Sequence, residues 1–409
     1  MTMASDKAPL PQNDQPAAST VRHDGDIAGG VYVHIPFCRH KCAYCDFYSV
    51  TDAKLHRPYV TALKRELASY DDAPFSADSL YLGGGTPSVL AAPLLAEIMD
   101  ALQAHLDLSP SSEITVEANP GHISHRTMLQ YRSMGINRIS VGVQSFQEPH
   151  LQFLGRRHTA EQAREAIVAA RKAGFTDLGL DLIYALPGQH KAQWLRDLKE
   201  VLRFQPEHLS CYLLSFEPGT PLDDRRRRGE ISPLADDTSA ALFHATAAFL
   251  TSQGYDHYEV SSFARIEQHH SHRSRHNQKY WSGAPYLGFG PSAHSFRNGV
   301  RHWNVRSVPE YIKRLGAQRS PVVGYESLTR RQKMLETLYL SLRRSEGLAF
   351  LQFEKRFHTN LRKRCTPLVR ALEAEGLLRQ THDHWALTPA GMVRADGIVQ
   401  QMAAQMGLD

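Results

Sequence analysis

Three cysteines fall within eight residues, at Cys38, Cys42 and Cys45, in the stretch His34-Ile35-Pro36-Phe37-Cys38-Arg39-His40-Lys41-Cys42-Ala43-Tyr44-Cys45. The spacing C-x3-C-x2-C supplies three thiolates, one fewer than a closed structural metal site takes. Three ligands and one open position describe a metal that also binds a small molecule. Thiolates in a tight loop suit a [4Fe–4S] cluster, with three irons held and the fourth left free. The competing reading is zinc, with His34, His40 or Asp46 as the fourth ligand. Zinc ligands usually come as two pairs, and here the second pair is missing, because Cys211 and Cys365 stand alone.

Other candidate groups sit at the ends of apolar runs. Gly83-Gly84-Gly85-Thr86-Pro87 follows Leu80 to Leu82. Three glycines let a backbone approach a ligand and present N–H groups with no side chain in the way, and Pro87 is placed to begin a helix. Glu117 precedes Ala118-Asn119-Pro120-Gly121, and Gln144 precedes Ser145-Phe146. A carboxylate and an amide can bind a ribose or an amino group; both also serve as satisfied polar groups at the rim of a core. Arg156, in Leu154-Gly155-Arg156, reads by itself as a surface arginine. Asp181 lies in Leu180-Asp181-Leu182-Ile183, where an unpaired charge is costly, so it needs a partner. A second centre is Arg275-His276-Asn277-Gln278-Lys279-Tyr280-Trp281, preceded by His269, His270 and His272. Neutral imidazole ligates metals, haem iron included, while a solvated basic loop is the plainer reading.

These groups need elements to hold them. Strand-like runs at Val31 to Ile35, Ser79 to Leu82, Glu113 to Glu117, Arg138 to Val143, Asp177 to Ile183 and Leu209 to Ser215 alternate with helix-like segments near 58–70, 88–106, 124–134, 160–173 and 190–203. Such alternation predicts a parallel sheet with helical crossovers. Chemically useful residues close nearly every run, which is the barrel pattern; a doubly wound sheet would gather them at one switch point. The expectation is an α/β fold, an open (β/α)6 partial TIM barrel over residues 29–255. Residues 1–28 read as a disordered tail, a helix as falling near 236–253, and 256–325 as a His-rich loop and linker region with 285–298 as packed loop. Residues 326–409 read as an α+β, winged-helix-like domain, with helices before Gly376-Leu377-Leu378 and a hairpin through Trp385-Ala386-Leu387-Thr388.

Composition narrows the function classes. The 409 residues allow two or three domains, and 42% apolar with 22% charged content is ordinary for a soluble protein. No run of 18 apolar residues and no secretory h-region appears. Five cysteines, three in one loop, exclude a disulfide framework and point to a reducing cytoplasm, with Cys211 and Cys365 as buried thiols. The net charge of +5 is mild; its excess is local, in Arg225 to Arg228 and Arg362 to Arg364. That excess is too small for a dedicated DNA surface, so no nucleic acid is expected as partner.

Taken together, the motifs show a family resemblance. Tyr32-Val33-His34-Ile35-Pro36-Phe37-Cys38, Gly83 to Pro87, Val141-Gly142-Val143-Gln144-Ser145-Phe146, Asp181-Leu182-Ile183-Tyr184-Ala185-Leu186-Pro187-Gly188 and Leu287-Gly288-Phe289-Gly290-Pro291 resemble the oxygen-independent coproporphyrinogen III oxidase-like group of radical S-adenosylmethionine (radical SAM) proteins. The resemblance runs from about Tyr32 to the C-terminus. It implies that Cys38, Cys42 and Cys45 hold the cluster, with S-adenosyl-L-methionine on the fourth iron. Tyr32, Gly84, Gly85, Thr86, Glu117, Gln144, Arg156 and Asp181 match positions lining the S-adenosylmethionine site, and Tyr44 fits the aromatic position before the third cysteine. Two features resemble the haem chaperones of the group and not its oxidases. Phe47 stands where the oxidases carry a further cysteine, and His276, Asn277 and Tyr280 supply the His-Asn-x-x-Tyr motif associated with haem, the histidine as axial ligand. The oxidases' long N-terminal extension is not evident. The implied function is haem binding and delivery to apo-haemoproteins, respiratory ones above all, leaving room for transient membrane association and for a homodimer. The alternative is a radical SAM enzyme decarboxylating porphyrinogen propionates.

Overall fold

The computed structural model describes residues 28–70, 75–268 and 270–408. The tail expected over 1–28 lies outside the described residues except for Ala28, and so does His269.

The six apolar runs form parallel strands β1 (Gly29–Ile35), β2 (Ser76–Gly84), β3 (Asp107–Ala118), β4 (Arg138–Gln144), β5 (Asp177–Tyr184) and β6 (His208–Leu213). With them come helices α1 (His56–Ala68), α2 (Ala92–His105), α3 (His125–Ser133), α4 (Glu148–Phe153), α5 (Ala160–Lys172), α6 (Lys191–Leu202), α7 (Pro221–Arg227) and α8 (Asp236–Ser252). Local sequence sets helix starts: Ser124 with Thr127 and Thr159 with Gln162 form capping boxes before α3 and α5, each satisfying two otherwise orphaned N–H groups. Val31, Val33, Leu80, Leu82, Ile139, Val141, Leu180 and Leu182 are fully buried. Each such burial contributes roughly 1.5–3 kcal/mol. Between them alternate polar residues, and hydrogen bonds join Tyr81 to Glu117 and Ser140 to Asp181 across neighbouring strands. A slip of one residue would exchange the two faces, so the register is strongly fixed.

This is the open (β/α)6 partial barrel that the alternation predicts, with a correction at its edges. Residues 256–325 are not loop and linker. They carry β7 (Tyr255–Glu259, beginning one residue earlier), β8 (Ser262–Glu267), β9 (His270–Ser271), β10 (Tyr286–Phe289), β11 (His294–Arg297), β12 (Val300–Asn304) and β13 (Val322–Ser327), with α9 (Arg275–Ser282) and α10 (Val308–Gly316). The sheet runs β13-β12-β11-β10-β1-β2-β3-β4-β5-β6-β8-β7, with β9 paired to β8. β10 lies parallel to β1, and β8 antiparallel to β6. These strands are too short and too glycine-broken to show a period. At Gly288 a Cβ would come within 2.1 Å of the His294 carbonyl oxygen, so the residue that hides the strand is the one that lets β10 and β11 close.

The C-terminal unit packs α11 (Arg330–Leu342), α12 (Phe350–Phe357), α13 (Leu361–Ala374), α14 (Pro389–Met392) and α15 (Ala395–Met406) with a small sheet of β14 (Leu348–Ala349), β15 (Leu378–Gln380) and β16 (His384–Leu387), in the order β14-β16-β15. Among the described residues, no helix is long and apolar enough to cross a membrane.

Candidate functional site

The cysteine loop leaves β1 and is closed at its root by a bridge between Phe37 and Val50. There the Cys38 N–H donates to the Val50 carbonyl at 3.0 Å, and the Val50 N–H to that of Pro36 at 2.8 Å. Farther out, Ala43 donates to the Leu154 carbonyl (3.4 Å) and accepts from the Leu222 N–H (2.9 Å). Ala43 and Tyr44 also pack on a separate apolar cluster of Leu154, Ile183, Leu186, Leu214 and Leu222. Helix α7 is therefore a strut for the loop. Its arginines are paired: fully buried Asp223 takes Arg226 at 2.6 Å and Arg227 at 2.7 Å, and Glu230 takes Arg225 and Arg228.

The three loop thiols are free and partly exposed, while Cys211 and Cys365 are free and buried. Cys38 Sγ lies 3.4 Å from Thr86 Oγ1, and Arg156 Nη1 donates to Cys42 Sγ at 3.5 Å. Burial pushes the Cys45 thiol up to about 11, and a bound cation is what converts such a thiol to thiolate. Among the described residues, no three His, Cys, Asp or Glu side chains converge on a point where a single ion could sit. A four-iron cluster takes each thiolate on a different iron. His34 is already committed, with Nδ1 3.1 Å from the Tyr32 hydroxyl and Nε2 3.0 Å from the Tyr48 carbonyl. Burial lowers its pKa to about 4. With His34 engaged elsewhere, the loop offers three thiolates, the donor set that a four-iron cluster with one open iron takes.

The glycine loop works differently from expectation. Gly84 N–H donates to Glu117 Oε2 (3.2 Å), Gly85 N–H to the Ile35 carbonyl (2.9 Å) and Thr86 N–H to the Phe37 carbonyl (2.8 Å). All three donors are spent on protein. A Cβ at Gly85 would lie 2.7 Å from the Phe37 carbonyl oxygen, so the glycine stitches this loop to the root of the cysteine loop. Arg156 is a second correction, for it is no surface arginine. Gly155, with φ +70°, turns the chain back after α4, and Arg156 Nη2 donates to the Gly142 carbonyl at 2.8 Å.

Glu117 is half-buried and accepts from the Tyr81 hydroxyl at 2.8 Å. Burial raises its pKa to about 7, and the nearby Asp181 carboxylate adds to the rise. Asp181 has the partner it needs in Ser140 Oγ at 3.0 Å, and burial raises its pKa too. Gln144 sits at φ +67°, a left-handed conformation that costs about 1–3 kcal/mol in a non-glycine residue and persists where surroundings over-determine it. Its amide folds over Gly142, where a Cβ would come within 2.9 Å of Nε2. Arg156 Nε and Thr115 Oγ1 are buried with no partner, polar capacity that a bound ligand would use.

His276 occupies the opposite end of the barrel. The expected basic loop is helix α9, capped by the Ser274 side chain and ended by Gly283 at φ +67°. The Arg275 and His276 N–H groups donate to the Glu113 carboxylate at 3.1 Å each, and Arg138 pairs with Glu113 at 3.6 Å and Asp177 at 2.7 Å. His276 is 1% exposed. Its Nδ1 lies 3.2 Å from Ser79 Oγ and its Nε2 2.9 Å from the Tyr280 hydroxyl. The ring stacks on Tyr81 at 5.1 Å and Tyr32 at 6.2 Å, and burial lowers its pKa to about 3, leaving it neutral. Asn277 is half-buried beside it. Sequence reading missed Ser79, Tyr81, Glu113 and Arg138, although the strict polar alternation along β2 to β4 was a signal for them.

Residues 32–201 match the model of the radical SAM superfamily, and residues 328–394 match the HemN C-terminal domain. The heme chaperone HemW of Lactococcus lactis is 33% identical over 90% of this chain and 96% of its own length. The heme chaperones HemW of Mycobacterium tuberculosis H37Rv (35% identity, 91% and 94% of the two chains) and Escherichia coli K12 (30%, 92% and 98%) match equally broadly. The chain belongs to the HemW family of radical SAM proteins. Membership in the superfamily brings a [4Fe–4S] cluster and S-adenosylmethionine with it. The solved structure of the Escherichia coli coproporphyrinogen III oxidase HemN has the same fold, with a TM-score of 0.78 over 92% of this chain and 90% of that one, at 23% identity.

Proposed function

We propose that this protein binds haem and passes it to apo-haemoproteins, carrying a [4Fe–4S] cluster on Cys38, Cys42 and Cys45 and S-adenosylmethionine beside it. The observation that carries this reading is the match along nine-tenths of the chain to proteins named heme chaperone. In this reading Thr86 and Arg156 steady the first two thiolates, and Tyr44 anchors the loop from below. Tyr32, Gly84, Gly85, Glu117, Gln144 and Asp181 line the S-adenosylmethionine site, with the ionised carboxylates and the amide holding its ribose and amino group. The cluster supplies one-electron reduction of S-adenosylmethionine. Haem iron is taken by His276, with Asn277 and Tyr280 shaping its surroundings. Because Tyr280 holds His276 Nε2, ligation requires that hydroxyl to step aside. The recipients are respiratory haemoproteins, and the five free thiols suit a cytoplasmic setting.

Phe47, 67% exposed beside the cluster loop, occupies the place of the oxidases' further cysteine and favours carriage over propionate decarboxylation. The test is an anaerobic haem titration of cluster-reconstituted protein followed by absorbance. Saturation near one haem per chain, with no decarboxylated product from coproporphyrinogen III, is expected. Absence of saturable binding, or product formation, overturns the reading.

A further inference from the structure

Behind Tyr280, on the side away from His276, a cleft opens between α9, the strands β10 to β12 and the C-terminal helices. One wall is an aromatic series: Tyr280 against Tyr286 at 4.9 Å, then Tyr286 against Phe296 at 6.2 Å. Trp281 continues it, with the Arg343 guanidinium 5.0 Å over its ring and its Nε1 buried without a partner. The other wall brings Lys333 from α11 and Arg356 from α12. Arg301 also lines the cleft but is held by Glu326 and Glu336. Lys333 and Arg356 make no ion pair among the described residues. The cleft therefore joins a wall of aromatic rings set at angles to one another, 78° between Tyr280 and Tyr286 and 37° between Tyr286 and Phe296, to two cations with no carboxylate of their own, next to the hydroxyl that holds His276 Nε2.

We propose that this cleft seats the carboxylate edge of a planar macrocycle, with Lys333 and Arg356 each taking one haem propionate and the Tyr280 and Tyr286 rings bordering that edge, Phe296 being covered by the Arg301 guanidinium at 5.7 Å. The proposal rests on the haem-binding reading and adds residues to it. The cavity volume is about 190 Å³, below the roughly 300–1,000 Å³ of pockets that enclose a ligand. It holds one edge of the macrocycle and not the whole ring. Two carboxylates matched to two unpaired cations give charge-assisted bonds, the strong class, and select for a dianionic edge over an uncharged one.

The test compares haem with haem dimethyl ester, whose propionates are masked, on the full-length cluster-reconstituted protein. The variants are Lys333→Ala, Arg356→Ala and the double substitution, with circular dichroism and iron content as controls for folding. Wild type is expected to bind haem about tenfold or more tightly than the ester, and the double variant to bind the two alike. If wild type binds haem and ester equally, or the double variant keeps the preference, the cleft is not the propionate seat while haem binding stands. If wild type binds neither, the haem-binding reading itself fails.

Discussion

Each loop cysteine has its own surroundings, Cys38 by Thr86 and Cys42 by Arg156, with Cys45 held protonated by burial. Replacing any one of them by alanine is expected to remove the bound iron, while Cys211→Ala and Cys365→Ala retain it; iron and sulfide analysis after reconstitution distinguishes these outcomes. Glu117 yields a pH dependence with a definite sign. Its carboxyl ionises near 7 in the folded protein, so the charged form that holds an amino group or ribose is lost as pH falls through that value. S-adenosylmethionine affinity should therefore weaken on acidification through about 7, and Glu117→Gln should bind weakly with a flat profile; a wild-type profile level across that range would contradict the assignment. At the far end, Tyr280→Phe removes a hydrogen bond that competes with iron for His276 Nε2. At about 1 kcal/mol net, haem affinity should rise about fivefold, read in the same absorbance titration. The cysteines were legible because their spacing is local. Glu117 and Asp181 showed as polar residues at apolar strand ends. The Cys42 contact of Arg156, the backbone contacts of Gly85 and the Ser79 and Glu113 contacts of His276 were not legible, since each lies more than a hundred residues away or depends on backbone approach.

Elements with long periodic runs were legible, and those with short ones were not. Strands β1 to β6 and helices α1, α2, α3, α5 and α6 fall where alternation placed them, except that β3 begins earlier, at Asp107; the short α4 was not expected. Helix α9 was hidden by the histidines and arginines in and before it, although Ser274 ahead of it and Gly283 after it mark a capped eight-residue segment. The late strands are joined to the barrel by Glu66 of α1. Its buried carboxylate accepts from the Gly290 N–H at 2.8 Å, Asn304 Nδ2 at 2.6 Å and the Tyr311 hydroxyl. Burial lifts its pKa from 4.5 to about 7. The folded state then holds its proton where the unfolded chain has released it, so the stability it contributes is present below 4.5 and lost as pH rises to about 7. Glu66→Ala should flatten that slope and, by leaving three donors unpaired, lower stability by about 3 kcal/mol. Urea unfolding across this pH range checks both, and an unchanged slope would remove Glu66 from the account.

At the scale of the whole molecule, the C-terminal unit is fastened to the barrel beside the proposed haem cleft. Arg273, just ahead of α9, pairs with Asp256 at 2.6 Å and with Glu346 of the C-terminal unit. The Val260 N–H reaches the Arg343 carbonyl at 3.2 Å. Haem in the cleft would bridge these two parts, so amide exchange should slow in α9, α11 and α12 on binding and stay unchanged in α2 and α3; uniform protection, or none, would count against that placement. The overall charge of +5 was legible and uninformative here, because the proposed propionate seat depends on Lys333 and Arg356 and not on the sum. The central claim is carriage of haem. The most direct measurement loads the cluster-reconstituted protein with haem, mixes it with an apo-haemoprotein under anaerobic conditions and follows the recipient's absorbance. The account predicts stoichiometric transfer that is faster than from haem bound to albumin and is lost in His276→Ala. Haem that stays on the protein, or reaches the recipient at the albumin rate, would contradict it.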